Sequence, residues 1–208
     1  MNIKTISVIF GISLVYILFN FLTVREPQLP PGAKIASDFG SRTDALGRKR
    51  RRKHQGIDII GPVGTEIIAI ADGNVLAAED ESCWGLTIMI DHSVTGKKPL
   101  MALYGHLDEM LVKENESVKR GQLIGRLGDK ATKRKCVRGI RHLHLQLGRK
   151  IQAKEKKSHY WGYSYFLEDK KGLNPHHFWA HGPGIVTCFV PGINYPKDKI
   201  TWPLHCKL

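Results

Sequence analysis

The stretch RHLHLQLG at residues 141–148 constrains the fold more than any other part of this chain. Side chains on a β-strand point alternately to opposite faces, so three leucines share one face while His142, His144 and Gln146 share the other. The leucine face predicts a sheet that packs on a hydrophobic core. The other face places two imidazoles about 6–7 Å apart. Such a face indicates either incidental histidines on a half-exposed strand or a binding site.

Short runs of the same kind recur between about residue 35 and residue 148. Glycine or charged turn residues end each of the candidate strands GIDIIGP, TEIIAIADG, NVLAAED, LTIMIDH, LMALYGH and QLIGRLG. No long segment with a hydrophobic period of about 3.6 residues interrupts them. The pattern predicts a mainly β fold over residues 35–150, an antiparallel β-sandwich or open barrel.

The N-terminal segment is apolar and long. Residues 5–24 are 20 uncharged residues between Lys4 and Arg25, and a helix of that length spans about 30 Å, the thickness of a bilayer core. Small residues of the A-x-A type do not end the segment, which argues against a cleaved signal peptide. We therefore expect an N-terminal transmembrane helix over residues 1–24, followed by a proline-containing linker over residues 25–34.

The cysteines and the C-terminal region suit an exported protein. Four cysteines are compatible with an oxidising compartment, and we expect the pairs Cys83–Cys136 and Cys188–Cys206, which keep each bridge within its own region. Residues 151–208 read as a C-terminal extension packed on the domain. The histidines of this extension, at positions 176, 177 and 181, have no carboxylate or cysteine partner at a recognisable spacing. We therefore do not expect a second metal site there.

The net charge of +13 predicts a polyanionic environment: nucleic acid, anionic lipid or an anionic wall polymer. Residues 48–53 are six consecutive cations, and residues 128–141 form a second basic segment. These segments are either solvated loops or the lining of a groove that attracts anionic groups. The first run also resembles a nuclear signal, but the apolar segment and the cysteines argue against a nucleic-acid partner.

A second polar pattern lies in KHQGIDIIGP. His54 and Asp58 lie on one face of an extended segment, with Gly56 between them leaving room. A carboxylate among isoleucines is costly unless it is paired or binds a metal. A His–Asp hydrogen bond would explain this pair by itself. Together with His142 and His144, the pair supplies three or four ligands of the kind that zinc accepts, with a position left open for water.

The order of these motifs resembles a known family. HxxxD, then the Gly-His at the end of LMALYGH, then HLH is similar to the lysostaphin-type (LytM-like) zinc metalloendopeptidases, which cut bacterial peptidoglycan. SDFGSR and SVKRGQLIGRLG lie at matching places, and the likeness covers about residues 36–148.

The resemblance assigns a role to each site residue. It implies that His54, Asp58 and His144 bind zinc, and that His142 and His106 act on the water and the transition state. Strand alternation alone does not separate the roles of the two histidines in HLH. Which of His142 and His106 is the base, and which stabilises the oxyanion, stays open.

The chemistry of such a site is consistent with these residues. Zinc lowers the pKa of a bound water to about 7 and polarises a peptide carbonyl. A proton must still be moved, and the H-E-x-x-H motif whose glutamate does this elsewhere is absent from the sequence. A histidine has a suitable pKa for the same task.

The resemblance implies a zinc-dependent metalloendopeptidase that hydrolyses cross-links or stem peptides of peptidoglycan in cell-wall remodelling. It would be held in the inner membrane by the N-terminal helix, with its catalytic domain in the periplasm. The alternative is a non-catalytic wall-binding regulator of another hydrolase. Family members usually have a short Gly/Ser/Thr-rich stretch before HLH, where this chain has a longer basic segment with Cys136. The bond that is cut therefore stays open.

Overall fold

The computed structural model describes residues 27–81, 84–93, 98–133, 137, 140–149 and 172–206. Within these ranges the chain forms ten strands and two short 3₁₀ helices. The strands are β1 (Ile35–Ser37), β2 (Ile57–Ile60), β3 (Glu66–Ile68), β4 (Gly73–Glu81), β5 (Gly85–Asp91), β6 (Met101–Leu107), β7 (Glu109–Met110), β8 (Ser117–Val118), β9 (Leu123–Arg126) and β10 (His142–Gly148). The 3₁₀ helices are η1 (Ala131–Lys133) and η2 (Pro175–His177).

Two predictions fall on other parts of the chain. The N-terminal helix expected over residues 1–24 and the expected pair Cys83–Cys136 lie outside the described residues. In the ranges given above, no helix is long and apolar enough to cross a bilayer.

The strands form two antiparallel sheets. The larger sheet has the order β1-β2-β10-β6-β5-β4-β8, and the smaller has the order β3-β9-β7. Each ladder between neighbouring strands is antiparallel. Isoleucines, leucines and valines from both sheets meet in one hydrophobic core. The prediction of a mainly β, antiparallel fold is confirmed.

Strand β10 lies inside the large sheet between β2 and β6. Its leucines, at positions 143, 145 and 147, are fully buried in the core, as the alternation predicts. The face with His142, His144 and Gln146 is buried too, so it is not a half-exposed surface. In the antiparallel register His144 lies opposite Asp58 on β2 and opposite Gly105 on β6.

Three strands were not anticipated. β1, β7 and β8 have only two or three residues each, and a run so short shows no alternation that could be recognised in the sequence. Tertiary hydrogen bonds with longer neighbours create them.

The segment of residues 172–206 has little regular structure but packs deeply. Trp179 and Trp202 are buried in the main core, with their rings 6.0 Å apart. Backbone hydrogen bonds join this segment to β3, because the amide of Ile68 donates to the carbonyl of Pro203. The predicted disulfide Cys188–Cys206 is present. The boundaries of the domain and of the extension stay predictions.

A buried histidine network connects β5 to β6. His92 Nδ1 donates to the carbonyl oxygen of Asp72 over 3.0 Å, and the Tyr104 hydroxyl donates to His92 Nε2 over 3.1 Å. The same hydroxyl accepts the amide hydrogen of Ile70. Burial lowers the pKa of His92 to about 4, because a charged imidazole would lose its hydration and could not accept the tyrosine hydrogen.

This pKa shift predicts acid sensitivity. The pKa of His92 in the unfolded chain is 6.5, higher than its folded value. The neutral ring therefore supports folding fully above pH 6.5, and this support is lost as the pH falls toward 4. We expect wild type to lose about 3 kcal/mol more of its free energy of unfolding between pH 7 and pH 4 than His92→Gln. Urea titrations of both proteins at several pH values measure the difference, and parallel curves would contradict it.

Close packing around Gly56 gives a second prediction. A Cβ at this position would overlap the carbonyl oxygen of Leu145 and come within 3.0 Å of the His144 ring. We expect Gly56→Ala to lower the free energy of unfolding by about 2 kcal/mol, because β10 must move. Gly105→Ala is the matched control, since its Cβ would approach Leu103 only to 3.3 Å. Equal stabilities of the two variants in urea would contradict this account.

Candidate metal centre

Three buried donor atoms converge on the polar face of β10. Oδ1 of Asp58 lies 3.0 Å from Nε2 of His54 and 2.9 Å from Nδ1 of His144. The two histidine nitrogens are 3.1 Å apart. The structure thus brings together the residues that the resemblance implied as metal ligands, and within the described part of the chain they are the one cluster of metal-type donors.

Different elements contribute the three side chains. Asp58 and His144 are cross-strand partners on β2 and β10, which places their side chains on the same face of the sheet. His54 lies in the loop before β2. The segment from His54 to Asp58 is short and contains Gly56, so the His54 side chain lies beside those of Asp58 and His144. The two motifs HxxxD and HLH meet because their strands are neighbours in the large sheet.

Hydrogen bonds at the rear of each ring orient the donors. His54 Nδ1 lies 3.1 Å from the carbonyl oxygen of Asp38, and His144 Nε2 lies 3.2 Å from the side-chain oxygen of Gln146. These oxygens only accept, so each ring places its hydrogen there and turns an electron pair toward Asp58. Three electron pairs about 3 Å apart require a positive charge between them, whether a proton or a metal ion.

The donor set fits zinc. Ligands about 2.1 Å from a tetrahedral zinc ion are about 3.4 Å from one another, close to the separations of 2.9–3.1 Å in this cluster. Two imidazoles and one carboxylate form a ligand set of the type found in catalytic zinc sites, where a fourth position remains for water or substrate. The site is therefore a His-Asp-His metal centre of the zinc type.

Charge around Asp58 is balanced by histidines and one arginine. Burial raises the pKa of the Asp58 carboxyl. When a proton rather than a metal ion lies between the donors, hydrogen bonds from His144 and His54 outweigh burial, and the net pKa is well below the ordinary value. Arg50 donates to Oδ2 of Asp58 over 2.7 Å and also binds the Thr43 carbonyl oxygen. Arg50 thus occupies one carboxylate oxygen and leaves Oδ1 facing the histidines.

His142 and His106 lie beside each other and beside the metal cluster. His142 Nε2 lies 3.6 Å from Oδ1 of Asp58, and the ring centroids of His142 and His106 are 4.9 Å apart. His142 Nδ1 donates to the Ile140 carbonyl and His106 Nδ1 donates to the Trp84 carbonyl. With the hydrogen placed on Nδ1, a neutral ring at either position has an Nε2 that can accept a proton.

Burial and the neighbouring histidines hold the pKa of His106 well below its ordinary value. The residue also has a positive φ of 68°, which is uncommon for a residue other than glycine and turns its side chain out of the regular strand. The neutral state leaves one ring nitrogen free to accept a proton, and the ring lies 4.9 Å from that of His142 and 5.8 Å from that of His144.

The structure adds residues that sequence reasoning missed. The run of six cations gave no sign that Arg50 alone turns inward, while Lys49, Arg51 and Lys53 are exposed. The ring of Trp84 packs against His106 and His144, at centroid distances of 5.0 and 5.2 Å. No spacing in the sequence pointed to that contact.

The C-terminal histidines also behave differently from one another. His177 and His181 are exposed, but His176 is buried and binds the Asp38 carboxylate through Nε2 over 2.9 Å. Sequence spacing showed no carboxylate partner for His176 because Asp38 is 138 positions away. The pair lies behind His54, outside the metal cluster.

The chain is similar to several known proteins. The chain is 34% identical over 123 residues to the peptidoglycan DD-endopeptidase ShyA of Vibrio cholerae, and 35% identical over 104 residues to the murein hydrolase activator NlpD of Escherichia coli. These alignments cover 58% and 50% of this chain but only 26% and 24% of the two relatives. The chain thus matches about a quarter of their length.

Among solved structures, a zinc containing peptidase from Vibrio cholerae superposes with a TM-score of 0.45 and 28% identity, covering 59% of this chain and 35% of that one. The family model for Peptidase family M23 matches residues 52–158, more than half of the 208 residues. The match includes both motifs of the metal cluster, HxxxD and HLH. The chain therefore belongs to Peptidase family M23.

Proposed function

We propose that this chain is a zinc-dependent metalloendopeptidase that hydrolyses peptide bonds of bacterial peptidoglycan, with His54, Asp58 and His144 as the zinc ligands. One observation carries the proposal: three buried donor atoms converge beside two histidine rings, each with an unprotonated nitrogen. A module that only binds the wall has no need for either feature.

The histidines next to the cluster supply the proton transfers. When bound, zinc provides Lewis-acid polarisation of the peptide carbonyl and acidification of a water molecule. Of Nε2 of His142 and Nε2 of His106, one takes up the proton that the attacking water loses and delivers it to the departing amine nitrogen, and the other, when it carries a hydrogen, stabilises the oxyanion. The carbonyls of Ile140 and Trp84 hold the rings in the tautomer that this task requires.

The substrate is a cross-link or a stem peptide. The names of relatives such as ShyA, a peptidoglycan DD-endopeptidase, favour the D,D cross-link as the first bond to test. The exposed cations at 49, 51 and 53 precede His54 directly, and there they attract the free carboxylates of stem peptides.

The proposed organisation follows the sequence. Residues 1–24 anchor the protein in the inner membrane as a single helix, residues 25–34 link it to the catalytic domain of residues 35–150, and residues 151–208 form the extension. The domain faces the periplasm, in agreement with the disulfide Cys188–Cys206, because disulfides persist in oxidising compartments.

A regulatory role is the second candidate. The similarity to NlpD, a murein hydrolase activator, supports it. A regulator would bind peptidoglycan and stimulate another hydrolase without cutting any bond itself, so the two candidates differ in whether the purified chain releases new amino termini.

Zinc binding gives the first prediction for this site. We expect one zinc ion per chain, and a loss of zinc affinity of more than about 100-fold in His144→Ala and in Asp58→Asn, because removing a ligand costs more than removing an outer partner. His181→Ala is the matched control, since its side chain is exposed. Metal analysis and competition with a chelator measure both quantities. Unchanged affinity in His144→Ala would show that the ligand assignment is wrong.

Hydrolysis gives the second prediction. We expect the wild-type chain to release new amino termini from purified sacculi, and His142→Ala to be slower by about 10²–10⁴-fold while it keeps its zinc. Mass spectrometry of the released fragments identifies the bond. Zinc binding without cleavage of any sacculus, together with stimulation of a second hydrolase, would favour the regulatory role instead.

A further inference from the structure

The main-chain carbonyl of Asp38 determines how His54 is oriented. It lies 3.1 Å from His54 Nδ1 and only accepts, so it fixes the tautomer that turns Nε2 toward Asp58. The loop after Asp38 also holds the backbone of His54, because the amide of Gly40 donates to the His54 carbonyl and the His54 amide donates to the Ser41 carbonyl. The position of Asp38 therefore sets the position of this donor.

The Asp38 carboxylate is held in turn by the C-terminal segment. Its Oδ1 accepts the amide hydrogen of Phe39 over 2.6 Å and the Nε2 hydrogen of His176 over 2.9 Å. Trp179 Nε1, which can only donate, binds His176 Nδ1 over 3.0 Å. His176 Nδ1 must therefore accept, which places the hydrogen of the neutral ring on Nε2, directed at Asp38.

The C-terminal end of this series of hydrogen bonds, at Trp179, is fixed by packing in the core. Trp179 is fully buried and packs on Trp202, and the amide of Ala180 donates to the Ile200 carbonyl beside it. His176 lies in η2, whose first turn is capped by the Asn174 side chain. Asp38 and His176 both lie outside the residues 52–158 that the family model matches, and His176 belongs to the C-terminal extension.

We propose that His176 is a positioning residue of the metal centre, acting through Asp38 on His54. By holding the Asp38 side chain, it fixes the carbonyl that directs His54 Nε2 at the metal position. The C-terminal segment is then required for tight metal binding as well as for stability. This inference rests on the proposed zinc ligands, but not on which bond the protein cuts.

Zinc affinity of the full chain tests the proposal. We expect His176→Ala to bind zinc about tenfold more weakly, within the range for partners outside the ligands themselves. His176→Gln should keep most of the affinity, because its amide still donates to Asp38. His177→Ala is the matched control, as the exposed neighbour on η2. Excess zinc should restore the hydrolytic rate of His176→Ala, because only metal occupancy is affected.

Asp38→Ala is a second variant that tests the proposal even if His176→Ala fails to fold. The Asp38 side chain is 44% exposed, so its removal leaves the core intact. We expect the same tenfold loss of zinc affinity, and no further loss in the double variant, because both changes break one connection. Wild-type affinity in Asp38→Ala or in folded His176→Ala, or additive losses, would overturn the proposal. Wild-type protein that binds zinc but cuts nothing would overturn the proposed activity alone.

Discussion

The burial of one carboxylate, that of Asp58, is the constraint on which the rest of the structure depends. Its side chain is 3% exposed on a strand of isoleucines, where an unpaired negative charge would cost several kcal/mol. Arg50 occupies one oxygen, and the histidines surround the other. The fold tolerates this charge only because cationic or metal-binding groups reach it from two segments, the loop before β2 and strand β10.

The large sheet makes that convergence rigid. The leucines of β10 are locked in the core, so the histidines on the opposite face have little freedom to move. Backbone or amide oxygens behind the rings then set the tautomers. Preorganisation of this kind is costly to build but leaves little to rearrange when a metal or a substrate binds.

The C-terminal segment connects core stability to the metal centre. Its tryptophans fill the same core as the two sheets, and its disulfide closes an 18-residue separation. Through His176 it also reaches the loop that carries His54. A region that reads in the sequence as an irregular extension is therefore joined to the metal centre by directional hydrogen bonds.

The sequence by itself determined the class of fold and, through the family that the order of its motifs resembles, the residues of the cluster. Alternation in HLHLQL separates the core face from the site face, and a carboxylate among isoleucines demands a partner, because both patterns are local and the period of a strand is two residues. The tertiary structure decided which partners complete the site. Arg50 rather than its five cationic neighbours turns inward, and Asp38 meets His176, 138 positions away. Such contacts join residues that are far apart in the chain, and they depend on how the loops return to the sheet. No short-range pattern in a single sequence encodes them.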